Sequence, residues 1–273
     1  MNMTSISIII PIYNASLYID RCLQSVEAQT LQDIEVILVD DHGQDDSMDK
    51  AKAFVAKSKR KDIYYVFLQT LKNSGPAVAR NIGIKTAHGE YVAFLDADDW
   101  IEQEMYETLY ANAKALKADL SCCNVFQDFD ETGKRIVLNN PRMEEGVISD
   151  KQRKWFLCTF VAYFWSFIYR REWMLANDLL FTDAKNAEDS SFLACCMLAA
   201  TRMAQTDVPY YHYVIHSGSL SQRKEWKGKE KRKAFGAMLN FAKRNNFLFK
   251  YWPQLMFVYI KKALIVPVVE IIK

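Results

Sequence analysis

Gly89-Glu90-Tyr91-Val92-Ala93-Phe94-Leu95-Asp96-Ala97-Asp98-Asp99-Trp100 is an apolar run, Tyr91 to Leu95, that ends in three carboxylates spaced over four residues. The run has the length of a buried strand. Three like charges at a strand end repel one another, and a cation is the simplest thing that makes them tolerable. Hard carboxylate oxygens select Mg2+ or Mn2+ over soft metals. The same residues also fit a polar strand-to-helix loop in which Asp98 or Asp99 caps a helix beginning near Ile101. The segments on either side decide between the two.

Upstream, Ser5 to Pro11 is β-branched and almost wholly apolar, the pattern of a strand buried on both faces of a parallel sheet. It runs into Tyr13-Asn14, where Asn14 or Ser16 can cap a helix carrying Tyr18, Cys22 and Val26 on one face. Ile34 to Val39 is a second apolar run and stops at Asp40-Asp41-His42-Gly43. Asp45-Asp46-Ser47 then opens a helix that ends in the basic Lys57 to Lys61, both signs placed as the helix dipole prefers. Ile63 to Leu68 is a third strand, and Asn73-Ser74-Gly75-Pro76 turns into a helix from Ala77 to Lys85 closed by Gly89. Strand and helix alternate, so the first hundred residues read as an α/β unit with a mainly parallel sheet. Ligands bind at the carboxyl ends of strands in such sheets. Tyr13-Asn14, Asp40-Asp41 and Asp96-Asp98 all fall at those ends, which loop solvation explains poorly.

Downstream the pattern changes. A helix from about Glu102 to Lys117 leads into a strand from Ser121 to Phe129, a turn at Glu131-Thr132-Gly133-Lys134 and a returning strand from Arg135 to Leu138. Tyr163 to Tyr169 reads as an aromatic strand whose rings belong to the core, with Trp165 left open as a sugar-stacking surface. Glu188-Asp189 stands at the start of the apolar helix Phe192 to Ala200; helix-dipole complementarity explains two acids there, as does catalysis. Tyr210 to His216 is a short strand, with His212 inside it read as structural.

The chain of 273 residues is half hydrophobic and one quarter charged, so it is globular, and its net charge of +2 gives no argument for a nucleic-acid partner. Its six cysteines form no C-x-x-C pair and suggest buried thiols in a reducing cytosol. No apolar run spans a bilayer and no signal-type segment opens the chain. The expected location is therefore cytoplasmic, or peripheral at the inner face of the cell membrane. From Arg223 to Lys250 ten basic residues face only Glu225 and Glu230. Trp226, Phe235, Phe241, Phe247 and Trp252 interleave with the lysines, and the apolar Leu264 to Ile272 follows. Residues 223–273 therefore read as a basic, amphipathic helical extension. Its charge fits a solvated helix face or, as the preferred reading, an anionic membrane surface.

Ile6 to Asn14, Gln29-Thr30, Val39-Asp40-Asp41, Asn73-Ser74-Gly75 with Ala79-Arg80-Asn81, and Phe94-Leu95-Asp96-Ala97-Asp98-Asp99, in that order and spacing, resemble the family 2 glycosyltransferases of the GT-A fold. The likeness is close over the first hundred residues and looser to about Gln222. It implies a glycosyltransferase domain over 1–222, with a nucleotide-sugar-binding half at 1–100 and an acceptor-side half at 101–222. Carried over position by position, it implies that Tyr13 lines a uracil pocket and that Asp40 or Asp41, with preference for Asp41, bonds the uracil edge. Arg80 would lie near the nucleotide, Asp96 would face the ribose, and Asp98 would hold the divalent metal, Mn2+ or Mg2+. Pro11, Asn73, Ala97 and Glu188 join the nucleotide-sugar site, and Asp189 matches the family's catalytic base. His216 falls where a polar group near the metal and diphosphate is often found. One departure is His42-Gly43-Gln44-Asp45, where members commonly have Gly-Ser-Thr-Asp.

The implied reaction moves a hexose from a nucleotide sugar, UDP-linked by family habit, to a hydroxyl of a glycan or lipid-linked glycan. Negative charge builds on the leaving diphosphate while a carboxylate takes the acceptor's proton, and a single displacement inverts the anomeric carbon. Two rivals fit parts of the same sequence. A haloacid-dehalogenase-like phosphatase would use Asp96-Ala97-Asp98 as nucleophile and acid but leaves Tyr13 and Asp41 unexplained. A non-catalytic nucleotide-sugar-binding protein has no use for Asp98 and Asp189 together.

Overall fold

The apolar runs of the first hundred residues pair in parallel, as their burial on both faces requires. In the computed structural model, which describes residues 4–217 and 228–261, strands β1 (Ile6–Ile12), β2 (Ile34–Asp40), β3 (Ile63–Gln69) and β4 (Tyr91–Phe94) lie in the order β3-β2-β1-β4. Ile6 stands opposite Ile34 on one side and Tyr91 on the other. Helices α1 (Ile19–Glu27), α2 (Ser47–Lys57) and α3 (Pro76–Thr86) make the crossovers. Helix α3 approaches β1 closely at Gly83, where a Cβ would come within 2.4 Å of Ile9 Cγ2. The winding reverses between β1 and β4, so Tyr13 and the Asp96 loop meet at the crevice where such sheets bind ligands.

Past β4 the sheet becomes mixed. Strand β9 (Phe167–Arg170) runs antiparallel between β4 and β6 (Leu120–Phe129), and β10 (Arg202–Ile215) lies parallel to β6. Short β5 (Trp100–Ile101) closes that edge, while β7 (Lys134–Leu138) and β8 (Gly146–Val147) pair with β6 and β10. Because β6 and β10 point the same way as β4, the residues after β10, His216 among them, arrive at the edge that carries Tyr13, Asp41 and Asp98. The remaining helices are α4 (Met105–Leu116), α5 (Asp150–Thr159), α6 (Arg171–Ala176), α7 (Glu188–Ala199), α8 (Gly228–Arg244) and α9 (Trp252–Ile260).

An aromatic cluster joins the two sides of the sheet. Phe94 on β4 touches Phe164, Tyr169, Phe181 and Phe192 at centroid distances of 5.2 to 5.8 Å, mostly edge-on. Such pairs add about 0.5–1.5 kcal/mol each beyond the area they bury. The consequence is positional: Phe192 belongs to the first turns of α7, so the start of that helix is fixed against the strand bearing the carboxylates.

Several local expectations are corrected. No helix begins at Ile101; Trp100–Ile101 pairs with β10, and α4 starts only at Met105. Tyr163 to Tyr169 is not one strand, since Phe164–Ser166 forms a 3-10 turn before β9. Trp165 is 5% exposed and stacked on Tyr211 at 4.0 Å, which makes it core. Neither Asn14 nor Ser16 caps α1: Asn14 Oδ1 accepts from Gln44 N and the Ser16 hydroxyl bonds Asp46, so both tie β1 to the loop after β2. Gly89 does not close α3, which ends at Thr86 with Ala87 as its cap. A Cβ at Gly89 would meet Ser7 N at 2.5 Å, and close backbone approach is what requires glycine there.

At the C-terminal end, Phe235, Met238 and Phe241 of α8 are buried, and the Ser191 hydroxyl of α7 donates to the Ala234 carbonyl. Phe235 and Phe241 therefore serve the core, not an amphipathic surface. Trp226, the basic Arg223, Lys224 and Lys227, and Leu264 to Ile272 lie outside the described residues. No helix among the described residues is long and apolar enough to cross a membrane. All six cysteines are free, four of them buried.

Candidate active site

The carboxylates after β4 each receive a different partner. Asp96 Oδ1 accepts from Arg80 Nη2 at 2.6 Å. Asp98 Oδ2 lies 3.2 Å from His216 Nε2, and its side chain is 36% exposed. Asp99 is buried, accepting from the Tyr211 hydroxyl at 2.7 Å and from Val214 N at 2.8 Å. It caps no helix and instead pins β10 to the loop. Burial and then the Asp96 charge raise the Asp98 pKa, with the His216 contact opposing them. Burial, Asp98 and Asp96 push Asp99 well up, so its proton affinity absorbs part of the cluster's repulsion.

Asp98, the most exposed of the cluster's carboxylates, with His216 beside it, is therefore the candidate position for a cation. Among the described residues no group of three or more His, Cys, Asp or Glu side chains is gathered to hold a metal. A carboxylate and an imidazole, with substrate phosphate oxygens and water completing the shell, still match how Mg2+ and Mn2+ are commonly held. The raised Asp98 pKa fits as well, because a cation would relieve the like charge of Asp96. The residues present accommodate such an ion.

Two further contacts escaped the sequence reading. Tyr18 stacks on the His216 ring at 4.4 Å, orienting the imidazole toward Asp98. Arg21 Nη2 donates to the Asp98 carbonyl at 3.2 Å while Nη1 lies 3.6 Å from Asp130 at the end of β6. Both residues lie on one face at the start of α1, three apart, a spacing equally compatible with ordinary amphipathic packing.

The donor-side loops follow from local chemistry. Asp41, 2% exposed, accepts from Thr70 Oγ1, Ser74 N and Gly75 N at 2.7 to 2.9 Å, which fixes the loop that starts α3. Gly75 there has φ +87°, a conformation that favours glycine. Asp40 is half-buried, with Oδ1 accepting from His42 N and Oδ2 from Gln69 Nε2. His42 takes φ 58° and places Nε2 2.6 Å from the Thr70 carbonyl, so its bulk seals the loop instead of distorting it. Tyr13 is 43% exposed at the end of β1, Asn73 is exposed beside the Asp41 loop, Pro11 is half-buried, and Ala97 is buried between the two outward carboxylates.

Arg80 connects the two halves. It is buried on α3, and its Nη1 lies 3.9 Å from Glu188 Oε1 while Nη2 holds Asp96. The guanidinium carbon lies 4.6 Å from the Phe164 ring centroid and 5.4 Å from that of Phe181. Burial alone would lower the Arg80 pKa, but Asp96 and Glu188 more than offset it. Helix α7 opens at Glu188 after Ala187, which has φ 63°, and Asp189 Oδ1 accepts from Ser190 N at 2.5 Å. Burial, followed by the Asp189 charge, raises Glu188 to about 7 against the pull of Arg80. The structure thus gathers Asp96, Arg80, Glu188 and Asp189 at one place and Asp98 with His216 beside it. His212 stands apart, buried between the Trp100 and Phe126 rings with Asp128 and Glu102 on its two nitrogens.

Known proteins share this arrangement of elements. The pattern of the family described as Glycosyl transferase family 2 matches residues 7–175. EpsH of Bacillus subtilis (strain 168) is 31% identical over 260 residues, covering 93% of this chain and 74% of its own. For two other relatives this chain spans less of their length, 63% and 65%. Among solved structures, Staphylococcus aureus TarS 1-349 in complex with UDP-GlcNAc superposes with TM-score 0.71 at 24% identity, over 92% of this chain and 72% of that one. The mannosyltransferase PcManGT of Pyrobaculum calidifontis, in complex with GDP-Man and Mn2+, gives 0.57 at 16% identity over 93% and 69%. These likenesses show the GT-A fold. With the family pattern covering more than half of its residues, the chain belongs to glycosyltransferase family 2.

Proposed function

We propose that the protein transfers a hexose from a nucleotide sugar, UDP-linked, to a hydroxyl of a glycan or lipid-linked glycan by a single inverting displacement with divalent-metal assistance. The observation that carries this reading is the Arg80 guanidinium, which holds Asp96 of the donor side and lies 3.9 Å from Glu188 at the start of α7. It brings a nucleotide-binding crevice and a pair of acids within one side chain of each other. The UDP-GlcNAc complex of TarS and the GDP-Man and Mn2+ complex of PcManGT support donor and ion by analogy.

Tyr13 and the Asp40-Asp41 loop would receive the base, Asp41 acting largely by setting the loop's shape, and Asp96 would face the ribose with Arg80 holding its carboxylate in place. Asp98, with His216, would hold Mn2+ or Mg2+, which when bound stabilises charge on the departing diphosphate. Asp189 accepts the acceptor's proton. A base needs a carboxylate beside the acceptor hydroxyl, and Asp189 stands in the first turn of α7 next to Glu188, whose proton affinity is raised by burial and by the Asp189 charge. The attack comes from the face opposite the leaving group, so an α-linked donor gives a β-linked product. A phosphatase reading would need Asp96 as nucleophile, yet that carboxylate is engaged by Arg80 at 2.6 Å. Free thiols throughout fit a cytoplasmic protein.

Nucleotide-sugar hydrolysis screened with Mn2+ and no acceptor tests the proposal. A UDP-sugar should be turned over above the rate without metal. Turnover of none of the nucleotide sugars, or equal turnover with chelator, would count against it.

A further inference from the structure

Helix α9 reads Trp252-Pro253-Gln254-Leu255-Met256-Phe257-Val258-Tyr259-Ile260 and carries a single polar side chain that is neither aromatic nor sulfur-bearing, Gln254. Leu255 and Val258 face inward and are buried. On the opposite side Trp252, Met256 and Ile260 follow one line at the i, i+4 spacing, with Pro253 and Phe257 next to them. Trp252, Phe257 and Ile260 are 47%, 45% and 40% exposed. A helix that is apolar all round belongs in a protein interior or in lipid, and no described residue covers this outward face.

The surrounding charges indicate what does. Lys250 and Lys261 flank α9. Helix α5 lies alongside in the same direction: the Tyr251 hydroxyl donates to Asp150 at one end and Lys261 Nζ to the Cys158 carbonyl at the other. It adds exposed Lys151 and Lys154 and Trp155, which is 55% exposed. Asp150 is the only acid on the two helices and is paired with Lys250 at 2.8 Å. A second copy of the chain docking the same patch would bring these lysines face to face, which like charge opposes. Anionic headgroups would neutralise them while the tryptophans and Phe257 enter the headgroup boundary.

We propose that the outward face of α9, framed by Trp155 and the lysines of α5, seats the protein on an anionic lipid bilayer. Tyr259 packs on Phe235 of α8 at 5.7 Å, next to the Ala234 carbonyl that Ser191 of α7 bonds. Arg153 ties the other end, lying over the Tyr251 ring and donating to the carbonyls of Leu198 and Ala200 at the C-terminus of α7. The last turn of α9 is thus nearest the end of α7 that bears Glu188 and Asp189. The membrane seat is independent of the transfer chemistry proposed above and stands or falls separately.

The test is sedimentation of the full chain with phosphatidylglycerol-containing and with pure phosphatidylcholine vesicles, at low and high salt. Wild type should bind the anionic vesicles and release with salt. Trp252→Glu with Phe257→Glu should lower partitioning at least about tenfold, and Lys151→Glu with Lys154→Glu, on the exposed face of α5, about fivefold or more. Brominated lipid should quench wild-type tryptophan fluorescence, and Trp252→Phe should remove part of that quenching while retaining binding. Nucleotide-sugar hydrolysis should be unchanged in all three variants, which separates this proposal from the proposed reaction. Wild type left in solution with anionic vesicles would overturn the proposal. So would undiminished binding by both charge-reversed and glutamate variants, quenching insensitive to Trp252→Phe, or a dimer that Trp252→Glu with Phe257→Glu splits without any vesicle binding.

Discussion

The strand end at Asp96-Ala97-Asp98-Asp99 and the helix start at Glu188-Asp189 are both clusters of acids, and they solve the same electrostatic problem differently. After β4 each carboxylate has its own partner: Arg80 for Asp96, His216 for Asp98, Tyr211 and Val214 N for Asp99. At α7 the guanidinium that already holds Asp96 lies 3.9 Å from Glu188, and burial with the Asp189 charge raises Glu188 to about 7. Separate partners leave Asp98 accessible and available to a cation. At α7, burial and the neighbouring Asp189 charge raise the proton affinity of Glu188, and the proposed roles give Asp189 the acceptor's proton.

That contrast can be broken by substitution. The largest effect is expected from Asp98→Ala, which removes the proposed ligand for the metal. Transfer should fall by roughly 1,000-fold or more, since metal stabilisation of the leaving group is worth several kcal/mol, and initial rates with saturating Mn2+ read the loss. Asp189→Asn should cost about 100- to 10,000-fold in kcat, the range for removing a general base, with little change in KM for the donor. Wild-type rates in that variant would falsify the base assignment.

The next effect is on stability. Glu188 has its folded pKa raised from 4.5 to about 7, so the native state binds more protons than the unfolded chain between those values. Its contribution is fully present below about pH 4.5 and is lost as pH rises through about 7. That amounts to roughly 3 kcal/mol at 1.36 kcal/mol per unit. Urea midpoints for wild type should therefore drop between pH 5 and pH 8 relative to Glu188→Gln, which has no proton to lose. Parallel pH curves for the two proteins would show that Glu188 does not hold its proton as described. The smallest effect is expected from His216→Ala, a rise of about tenfold in the Mn2+ concentration needed for half-maximal activity, because Asp98 retains the charge.

Much of this organisation is legible in the sequence, for a physical reason. Strands buried on both faces announce themselves as continuous apolar runs, and Ile6 to Ile12 and Ile34 to Asp40 lie where those runs predict. Asp40-Asp41 and Asp96 stand out because each breaks off an apolar run, Ile34 to Val39 and Tyr91 to Leu95. Arg80, Asp96 and Glu188 are far apart along the chain, and only the fold makes one guanidinium their common neighbour. Trp100–Ile101 was unreadable as a strand because two residues carry no period, and its pairing with β10 depends on a strand more than a hundred residues away. Phe235 and Phe241 illustrate the opposite failure: aromatic residues among lysines suggested a surface, but α8 buries both rings, Phe235 against Tyr259 of α9, while Lys229 and Lys243 stay exposed. The apolar face that is exposed belongs to α9.

The central claim is that the two acidic clusters divide the labour, donor and metal at Asp98, proton removal at Asp189. Calorimetric titration of UDP into wild type, Asp98→Ala and Asp189→Asn, each with Mn2+ and with chelator, tests it most directly. The account predicts Mn2+-dependent UDP binding of similar affinity in wild type and Asp189→Asn, and its loss in Asp98→Ala. Equal UDP binding by Asp98→Ala and wild type, or loss of binding in a folded Asp189→Asn, would contradict it.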